Sequence, residues 1–314
     1  KSKYKPLYTS DKRYFILTGG RGSGKTFVVQ DFLVRLLEEK GQGILYTRYT
    51  MTSVETTIIP LFSKHIELIS NLEKYHITKK YIQNLETGSF IMFSGIKTSS
   101  GDQTANLKTL PNITTWVIEE GEDYDKEDSF TDIDDSIRVK GIQNRVIWIQ
   151  NPSTSQHFIY KRFFEESYEL KQIDGFDYQH STHPQVEHIH TTFLDNEENL
   201  DPYKVSQWKK QKIENPKKYK HKYIGSWLDK AEGVILDNWK EGEFDTSLPY
   251  LFGQDYGFAV DGDPSTLVRV AVRKNTLYVK EEMYANNLDT NQLLRRNKQL
   301  AGKKLIVADS AEGR

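Results

Sequence analysis

Several features that define other classes of protein are missing from this sequence. The 314 residues include no cysteine, which excludes a disulfide framework and a zinc site built from thiolates. No apolar run reaches the length of about 18 residues that a membrane-spanning helix needs, so we expect no membrane contact. The N-terminal segment KSKYKPLY also lacks the apolar stretch of a signal peptide. Together these absences are typical of a cytosolic protein.

An excess of charge of one sign is missing as well. The 43 basic and 44 acidic residues leave a net charge of −1, so the chain as a whole gives no electrostatic indication of a nucleic-acid partner. The local distribution is uneven, because residues 204–222 carry eight lysines and a single acid, whereas residues 119–135 are strongly acidic. The lysines alternate with aromatic residues and suit contacts with phosphates, but a solvated helix face explains them equally well.

Predicted strands and helices alternate along the first 160 residues. The predicted strands cover 14–18, 44–48, 113–118 and 145–150, the predicted helices cover 25–39, 54–72 and 126–139, and a hairpin over 75–95 turns at 86–88. Short apolar strands between helices are typical of a buried parallel sheet. The order predicts an α/β nucleotide-binding fold.

The composition changes further along the chain. Residues 155–235 are rich in tyrosine, histidine and lysine and are interrupted by prolines, which indicates a small subdomain and a linker. From residue 250 the predicted order is three strands, a helix and a strand, over 250–255, 265–272, 276–284, 289–300 and 304–309.

A glycine-rich loop follows the first predicted strand and precedes the first long helix. Its sequence, GGRGSGKT, fits the pattern G-x-x-x-x-G-K-[ST] in full. Glycines let backbone N–H groups converge on phosphate oxygens, and the following helix adds its positive end. Lys25 would neutralise the β- and γ-phosphates, and the Thr26 hydroxyl would bind Mg²⁺. The loop therefore predicts ATP and Mg²⁺ as cofactors, with contacts from Gly19, Gly20, Arg21, Gly22, Ser23, Gly24, Lys25 and Thr26.

Two later strands end in polar residues suited to ATP hydrolysis. The run WVIEE ends in Glu119, predicted to bind Mg²⁺ through water, and Glu120, predicted to orient and deprotonate the attacking water. A solvated acidic turn is the alternative, since three more acids follow within 122–125. The next apolar strand ends at Asn151, a candidate sensor of the γ-phosphate, although Asn-Pro also forms turns readily.

Hydrolysis also calls for an arginine that stabilises the developing charge. Arg21, inside the glycine-rich loop, is the leading candidate. Arg48, Arg138 and Arg145 are alternatives, and any of them would also be able to act on a neighbouring subunit.

A second pair of carboxylates ends two strands near the C-terminus. Asp255 ends the run FGQD and Asp309 ends the run LIVAD. In a β-β-β-α-β unit of ribonuclease H type the first and fourth strands are adjacent and parallel, so the two acids would meet and hold Mg²⁺ or Mn²⁺ ions about 4 Å apart. Aspartate also caps many turns, and on that alternative the two acids are simply turn formers. Asp263, before Pro264, is either a helper of the metal site or a turn former, and the turn is slightly favoured.

Taken together, the two groups of motifs resemble the large terminase subunit of tailed bacteriophages, in the branch of prophage and Gram-positive phage terminases. The resemblance lies in GGRGSGKT at 19–26, WVIEE at 116–120, NPSTSQHFIYKRFF at 151–164, TTFLDNEENL at 191–200, NPKKYKHKYIGSWLDKAEGVIL at 215–236 and FGQDYGFAVDGDPS at 252–265. The glycine-rich loop alone is unspecific, but this set in one chain is much more specific.

The resemblance implies a viral genome-packaging motor in the host cytoplasm. It implies an ATPase that drives double-stranded DNA through a portal into a procapsid and an endonuclease that cuts concatemeric DNA. It further implies a small terminase subunit as a partner and a homo-oligomer on the portal ring. Lys25, Thr26, Glu119, Glu120 and Asn151 would keep the roles given above, and Asp255 and Asp309 would bind the nuclease metals. The implied regions are a P-loop ATPase core over 1–175, a lid or linker subdomain over 176–235 and a ribonuclease H-like domain over 236–314.

The sequence departs from the family in two places. Glu119 stands where aspartate is more usual, and its longer side chain should still reach the metal through water. The family nuclease also has a third acid well downstream of the second, whereas this sequence ends at Arg314. We therefore expect only the N-terminal part of the nuclease domain, and no DNA cleavage by this part alone.

Two other functions fit the same motifs. A helicase-like DNA-translocating ATPase would use the nucleotide site without a nuclease, and changing Asp255 to asparagine separates it from the packaging motor. A nucleotide-regulated assembly module would bind ATP without turnover, and changing Glu120 to glutamine separates that one.

Overall fold

The computed structural model describes residues 2–48, 58–98, 101–102, 107, 109–228, 240–257, 264–286 and 288–308. The chain divides into two compact units, Lys1–Val234 and Ile235–Arg314. Within these described ranges, no helix combines the length and the apolar character needed to cross a membrane.

The first unit is built on a mixed sheet. Its strands, together with two short pairs outside that sheet, are β1 (Tyr14–Gly19), β2 (Gly43–Arg48), β3 (Tyr75–Ile77), β4 (Tyr81–Asn84), β5 (Phe90–Gly95), β6 (Lys97–Thr98), β7 (Gly101–Asp102), β8 (Thr115–Glu119), β9 (Arg145–Ile149), β10 (Tyr168–Ile173), β11 (Phe176–Ser181) and β12 (Val186–Thr191). Among the described residues the sheet order is β12-β1-β9-β8-β2-β5-β4-β3. The strands from β12 to β5 are parallel, whereas β4 and β3 are antiparallel. The predicted parallel sheet is thus confirmed at its centre.

Helices cover both faces of this sheet. They are α1 (Pro6–Thr9), α2 (Lys25–Leu37), α3 (Ile59–Ile69), α4 (Glu127–Asp134) and α5 (Phe158–Phe163), whereas α6 (Pro202–Glu214) packs in a separate cluster. Alternate residues of each strand supply the two cores, as expected for a pleated strand buried on both sides. In β1, Phe15 and Leu17 pack into one hydrophobic cluster and Tyr14 and Ile16 into the other.

Two predicted elements differ from the observed ones. The predicted helix over 126–139 ends at Asp134. The turn that follows is held by the Arg13 guanidinium, which donates to the Asp134 carbonyl at 2.8 Å and to the Ile137 carbonyl at 3.2 Å. The predicted hairpin turn at 86–88 lies between β4 and β5, and the additional strand β3 precedes them. Residues 54–57 of the predicted helix over 54–72 lie outside the described residues.

The largest difference concerns β12, which the sequence analysis did not predict. It lies in the range expected to form a lid or linker subdomain, yet it pairs with β1 along its whole length, from Tyr14 opposite Val186 to Gly19 opposite Thr191. Its sequence, VEHIHT, carries two buried histidines that hide the apolar alternation of a strand. Both histidines bond to Thr18 of β1, at 2.7 Å each.

The segment after β12 forms a small cluster of its own. Helix α6 is followed by a turn at Pro216–Lys218 that continues as a π-helical stretch, Tyr219–Ile224. Phe193, Val205, Tyr219, Tyr223 and Ile224 are buried together there. We call residues 192–226 the loop-facing segment, because it packs on the glycine-rich loop.

The second unit contains β13 (Tyr250–Asp255), β14 (Ser265–Arg273), β15 (Thr276–Ala285), α7 (Thr290–Ala301) and β16 (Ile306–Ala308). In its described part the sheet order is β15-β14-β13-β16, with β13 parallel to β16. The predicted order of three strands, a helix and a strand is confirmed, and so is the parallel pairing of its first and fourth strands.

Candidate active site

The glycine-rich loop connects the end of β1 to the start of α2. Its first two glycines are required by close backbone contacts with the loop-facing segment and β12. A Cβ on Gly19, whose φ is +147°, would lie 1.7 Å from the Thr191 carbonyl oxygen, and a Cβ on Gly20 would lie 2.1 Å from the Tyr223 carbonyl oxygen. The glycines therefore serve packing behind the loop as well as access to a ligand in front of it.

A cavity of about 430 Å³ opens in front of the loop. It is lined by residues from the carboxyl ends of β1, β2, β8 and β9, where ligands bind in open α/β sheets. The lining residues are Gly20, Arg21, Gly22, Ser23, Gly24, Lys25, Thr26, Phe27, Arg48, Leu61, Glu119, Glu120, Glu122, Ile149, Gln150 and Asn151. All the residues predicted for the nucleotide site except Gly19 thus surround one space.

The Lys25 ammonium is buried and folded back on the loop. It donates to the Gly19 carbonyl at 3.1 Å, the Gly20 carbonyl at 3.3 Å and the Ser23 hydroxyl at 3.1 Å. It also donates to Asn151 Oδ1 at 3.1 Å, which joins the loop to the end of β9. Burial lowers the pKa of Lys25 to about 8, and the nearby Glu122 carboxylate opposes that shift. A bound phosphate group would place further negative charge next to this buried ammonium and stabilise its charged form.

Glu119 is held in place by two donors from β2. It is 3% exposed, and its Oε2 accepts from the Tyr46 hydroxyl at 2.6 Å and from Arg48 Nε at 2.8 Å. The parallel register places Arg48 opposite Glu119. Burial and the neighbouring Glu119 carboxylate raise the pKa of Tyr46 well above its usual range. The hydroxyl therefore stays protonated and keeps donating.

Glu120 has a backbone conformation that residues other than glycine rarely adopt. Its φ is +54° and its ψ +46°, in the left-handed region. Non-glycine residues reach this region at an energetic cost and concentrate at functional sites. Its Oε1 lies 3.4 Å from Arg48 Nη2. Arg48 thus bridges the two acids that the sequence predicted to divide metal binding and water activation.

Asn151 stands between the buried lysine and a third acid. Its Nδ2 donates to Glu122 Oε1 at 2.9 Å, and its backbone N–H donates to Glu122 Oε2 at 3.1 Å. Its Oδ1 accepts from Lys25. The side chain is exposed to the cavity, as a group that contacts a ligand must be.

The arginine candidates separate into two groups. Arg21 and Arg48 line the cavity. Arg138 donates to the Asp135 carbonyl, and Arg145 donates to the Gln143 side chain; neither lines this cavity. Arg21 is exposed, whereas Arg48 is already bonded to Glu119.

The donors around the cavity suit a small, hard cation. The Thr26 hydroxyl and the Glu119 carboxylate both line it, and oxygen ligands are those that Mg²⁺ prefers. Among the described residues, no group of three or more histidines, aspartates and glutamates is arranged to hold a metal without further ligands. A nucleotide's phosphates would therefore have to complete the coordination.

The N-terminal segment and the loop-facing segment support the loop from outside. The Tyr4 hydroxyl donates to the Ser23 carbonyl at 3.1 Å and lies 2.9 Å from the Thr191 hydroxyl. Asn196 donates to the Gly22 carbonyl at 2.9 Å. These contacts hold the Ser23 and Gly22 carbonyls on the side away from the cavity.

The second pair of predicted acids is described only in part. Asp255 ends β13 and is exposed, and Gln254 pairs with Ala308, the last residue of β16. Asp309 and Asp263 lie outside the described residues. The expected approach of Asp255 to Asp309 therefore remains a prediction.

The family of the chain follows from its sequence. The family model for the phage terminase large subunit matches residues 11–226, more than half of the chain. This protein belongs to the phage terminase large subunit family. No curated protein matches it in sequence.

Solved terminases share its fold. The large terminase of a thermophilic bacteriophage is 17% identical, with a TM-score of 0.56 over 98% of this chain and 77% of that chain. The ATPase domain of the Thermus phage P74-26 large terminase is 14% identical, with a TM-score of 0.53 over 71% of this chain and 92% of that chain. The thermophilic-phage terminase in complex with ATP-gamma-S is 15% identical, with a TM-score of 0.51 over 98% of this chain and 76% of that chain.

Sequence reasoning missed three residues around this terminase site. Tyr46 lies inside an apolar strand and reads as core, and Glu122 reads as one of several acids in a solvated turn. Tyr4 is too far along the chain to be linked to the loop by any pattern. Arg48, by contrast, was identified from the sequence as a candidate arginine near a strand end.

Proposed function

We propose that this terminase hydrolyses ATP to drive double-stranded DNA into a procapsid in the host cytoplasm. The observation that carries the proposal is the single cavity shared by the glycine-rich loop, Lys25, the Glu119–Glu120 pair and Asn151. Binding of ATP is further supported by the large terminase of the thermophilic bacteriophage, a protein of the same fold that has been solved with ATP-gamma-S and with ADP.

ATP would bind with its phosphates along the loop. Lys25 would exchange its bonds to loop carbonyls for the β- and γ-phosphate oxygens, which are better partners for a buried ammonium. Mg²⁺ held by Thr26 and Glu119 would neutralise phosphate charge. Tyr46 and Arg48 keep Glu119 oriented toward the cavity throughout.

Glu120 would act on the attacking water. Its carboxylate would accept the proton of a water as the water oxygen bonds to the γ-phosphorus and the bond from that phosphorus to the bridging oxygen breaks, giving ADP and phosphate. Its left-handed backbone ends the strand at Glu119, and its carboxylate lines the cavity. Arg21, exposed at the cavity rim, would contact the developing charge, within its own subunit or on a neighbouring one.

Movement of DNA requires that the nucleotide state reach other parts of the chain. The loop-facing segment suits that role, because Asn196 bonds Gly22 and the Lys222 carbonyl accepts from the Arg21 N–H at 3.1 Å. The same segment carries all eight lysines of the basic stretch, which we propose contact DNA phosphates without choosing sequence. The portal, the small terminase subunit and further copies of this chain are the other proposed partners.

We also propose a nuclease in the second unit. The parallel neighbours β13 and β16 support it, because their ends would bring Asp255 and Asp309 together to hold two Mg²⁺ or Mn²⁺ ions. The proposed regions remain an ATPase core over 1–175, to which β12 adds a strand, a lid or linker subdomain over 176–235 and a ribonuclease H-like domain from 236 onward.

The experiment that tests the motor function is the change Glu120→Gln. Because the amide keeps the shape and loses the base, ATP turnover should fall about 10²- to 10⁴-fold while ATP binding is retained. Lys25→Ala should weaken ATP binding itself. Asp125→Asn, an exposed acid of the same turn, is the matched control and should keep both.

Unchanged turnover in the Glu120→Gln protein would remove Glu120 from the chemistry. A wild-type protein that binds ATP but does not hydrolyse it, even with DNA and portal present, would favour the assembly module over the motor.

A further inference from the structure

Glu122 makes a two-pronged contact with Asn151. Each of its two carboxylate oxygens accepts from one N–H of Asn151, Oε1 from the side-chain amide at 2.9 Å and Oε2 from the backbone at 3.1 Å. The contact joins Glu122, two positions after Glu120 in the turn that follows β8, to the second residue after β9. Hydrogen bonds that a carboxylate accepts from N–H groups are stronger than hydrogen bonds between neutral groups.

This contact decides which way the Asn151 amide faces. A carboxylate only accepts hydrogen bonds, and an ammonium only donates them. The amide nitrogen therefore has to face Glu122 and the amide oxygen has to face Lys25, at 3.1 Å. A flipped amide would set oxygen against oxygen at one end and nitrogen against nitrogen at the other.

The fixed orientation matters for a group that contacts phosphate. The amide nitrogen carries two N–H groups, and one of them donates to Glu122 at 2.9 Å. The other N–H is on the same nitrogen, in a side chain that lines the cavity. An acceptor in the cavity, such as a phosphate oxygen, could use that N–H only while the amide keeps this orientation.

The electrostatic surroundings agree with this geometry. Burial raises the pKa of Glu122, and the hydrogen bonds from Asn151 and the charge of Lys25 oppose that shift. The Glu122 charge in turn opposes the lowering of the Lys25 pKa by burial. Glu122, Asn151 and Lys25 thus form a chain that runs from acid to amide to ammonium, and it ends at the loop that faces the phosphates.

We infer that Glu122 is a positioning residue for ATP hydrolysis: it holds the Asn151 amide so that the sensor presents an N–H, not its oxygen, to the γ-phosphate. The inference rests on the proposed ATPase function. It assigns a role to an acid whose two carboxylate oxygens both accept from Asn151.

The test compares Glu122→Gln and Glu122→Ala with Asn151→Ala and with the control Asp123→Asn, an exposed acid of the same turn. Turnover and the affinities for ADP and for the slowly hydrolysed ATP-gamma-S are measured on each. Glu122→Ala should lower kcat by up to about 10²-fold and reduce the preference for ATP-gamma-S over ADP about tenfold, with ADP affinity within about twofold of wild type. Glu122→Gln keeps one accepting oxygen and should lie between Glu122→Ala and wild type, and Asp123→Asn should match wild type.

The double variant Glu122→Ala/Asn151→Ala separates positioning from a general structural effect. If Glu122 acts through Asn151, the double variant should be no slower than Asn151→Ala alone. Losses that multiply, or an ADP affinity that falls in step with turnover, would overturn the inference. The inference would also be overturned if both Glu122 variants kept wild-type kcat and nucleotide preference while Asn151→Ala was slow.

The nucleotide preference keeps this test separate from the test of the motor. Should the wild type bind both nucleotides without turning over ATP, the proposed motor function fails. In that case an equal loss of preference in Glu122→Ala and Asn151→Ala still supports the orientation of the Asn151 amide by Glu122, and an unchanged preference in Glu122→Ala still overturns it. A melting temperature for each variant, with the isosteric Glu122→Gln as the mildest change, identifies any that fail to fold.

Discussion

Carboxylates end strands in both units of this terminase, but their surroundings differ. In the first unit Glu119 is buried, and its oxygen accepts from two side chains of the neighbouring strand. In the second unit Asp255 ends β13 exposed. The first acid is oriented by the protein before any ligand arrives, whereas the second would depend on metal ions and other acids for its place. A network of hydrogen bonds therefore supports the proposed nucleotide site, whereas the proposed nuclease site is supported only by the position of its acids on the sheet.

The most severe change should be Gly19→Ala, which attacks the packing behind the preorganised site. The added Cβ would lie 1.7 Å from the Thr191 carbonyl oxygen, at a φ of +147°. Either the loop or β12 must move, so we expect a loss of more than about 4 kcal/mol of unfolding free energy, or loss of nucleotide binding. Chemical denaturation and nucleotide titration measure both.

The control for this change is Gly242→Ala, where a Cβ would meet nothing within 4 Å, and it should be neutral. A Gly19→Ala protein that unfolds and binds ATP like wild type would mean that the loop is not seated on β12.

Asp255→Asn tests the other half of the comparison. In the full-length protein, metal-dependent nicking should fall by about 10²-fold or more, because a neutral amide holds divalent ions poorly. ATP turnover should be unchanged. Asp245→Asn, an acid bonded locally to Ser247, is the control. Nicking that survives in Asp255→Asn would favour a translocating ATPase whose cutter lies elsewhere.

Tyr46→Phe sharpens the contrast by removing one donor from Glu119. The carboxylate keeps Arg48 but loses its second anchor, so kcat should fall about tenfold and stability by about 1 kcal/mol. Tyr81→Phe, whose ring stacks on Phe90, is the matched control. A stability loss with unchanged kcat would show that the hydroxyl only fills the core.

The last prediction concerns the pH dependence of stability and comes from the histidines of β12. Burial lowers the pKa of His190 to about 3 and that of His188 well below its usual range, with His180 and lysines nearby adding to the shift. Since the unfolded histidines bind protons near pH 6.5 and the folded ones do not, stability should fall as the pH drops from about 6.5 toward 3. The slope is at most about 1.4 kcal/mol per pH unit for each histidine.

Urea unfolding at about pH 7 and about pH 5 measures this slope. His190→Gln should flatten it, whereas stability that rises on acidification would contradict the assignment of neutral, buried histidines.

The sequence allowed prediction of those parts of the site that follow a spacing rule. The glycine-rich loop, the acids after WVI and the asparagine after WIQ each follow an apolar strand, so a parallel sheet brings them to one edge. Contacts made across strands have no such spacing. Tyr46 reaches Glu119 because β2 and β8 are neighbours, which sequence order does not reveal. Strand β12 was not predicted because histidines in a sequence suggest an exposed segment. The bonds to Thr18 and to the Ile224 carbonyl that allow them to be buried are visible only in the structure.

The most direct test of the central claim is a crystal structure of the protein with Mn²⁺ and ATP-gamma-S. The account predicts the triphosphate along residues 19–26, with Lys25 and the Asn151 amide on the γ-phosphate and Mn²⁺ density beside Thr26 and Glu119. A nucleotide bound elsewhere, with Lys25 still bonded to the Gly19 and Gly20 carbonyls, would contradict it.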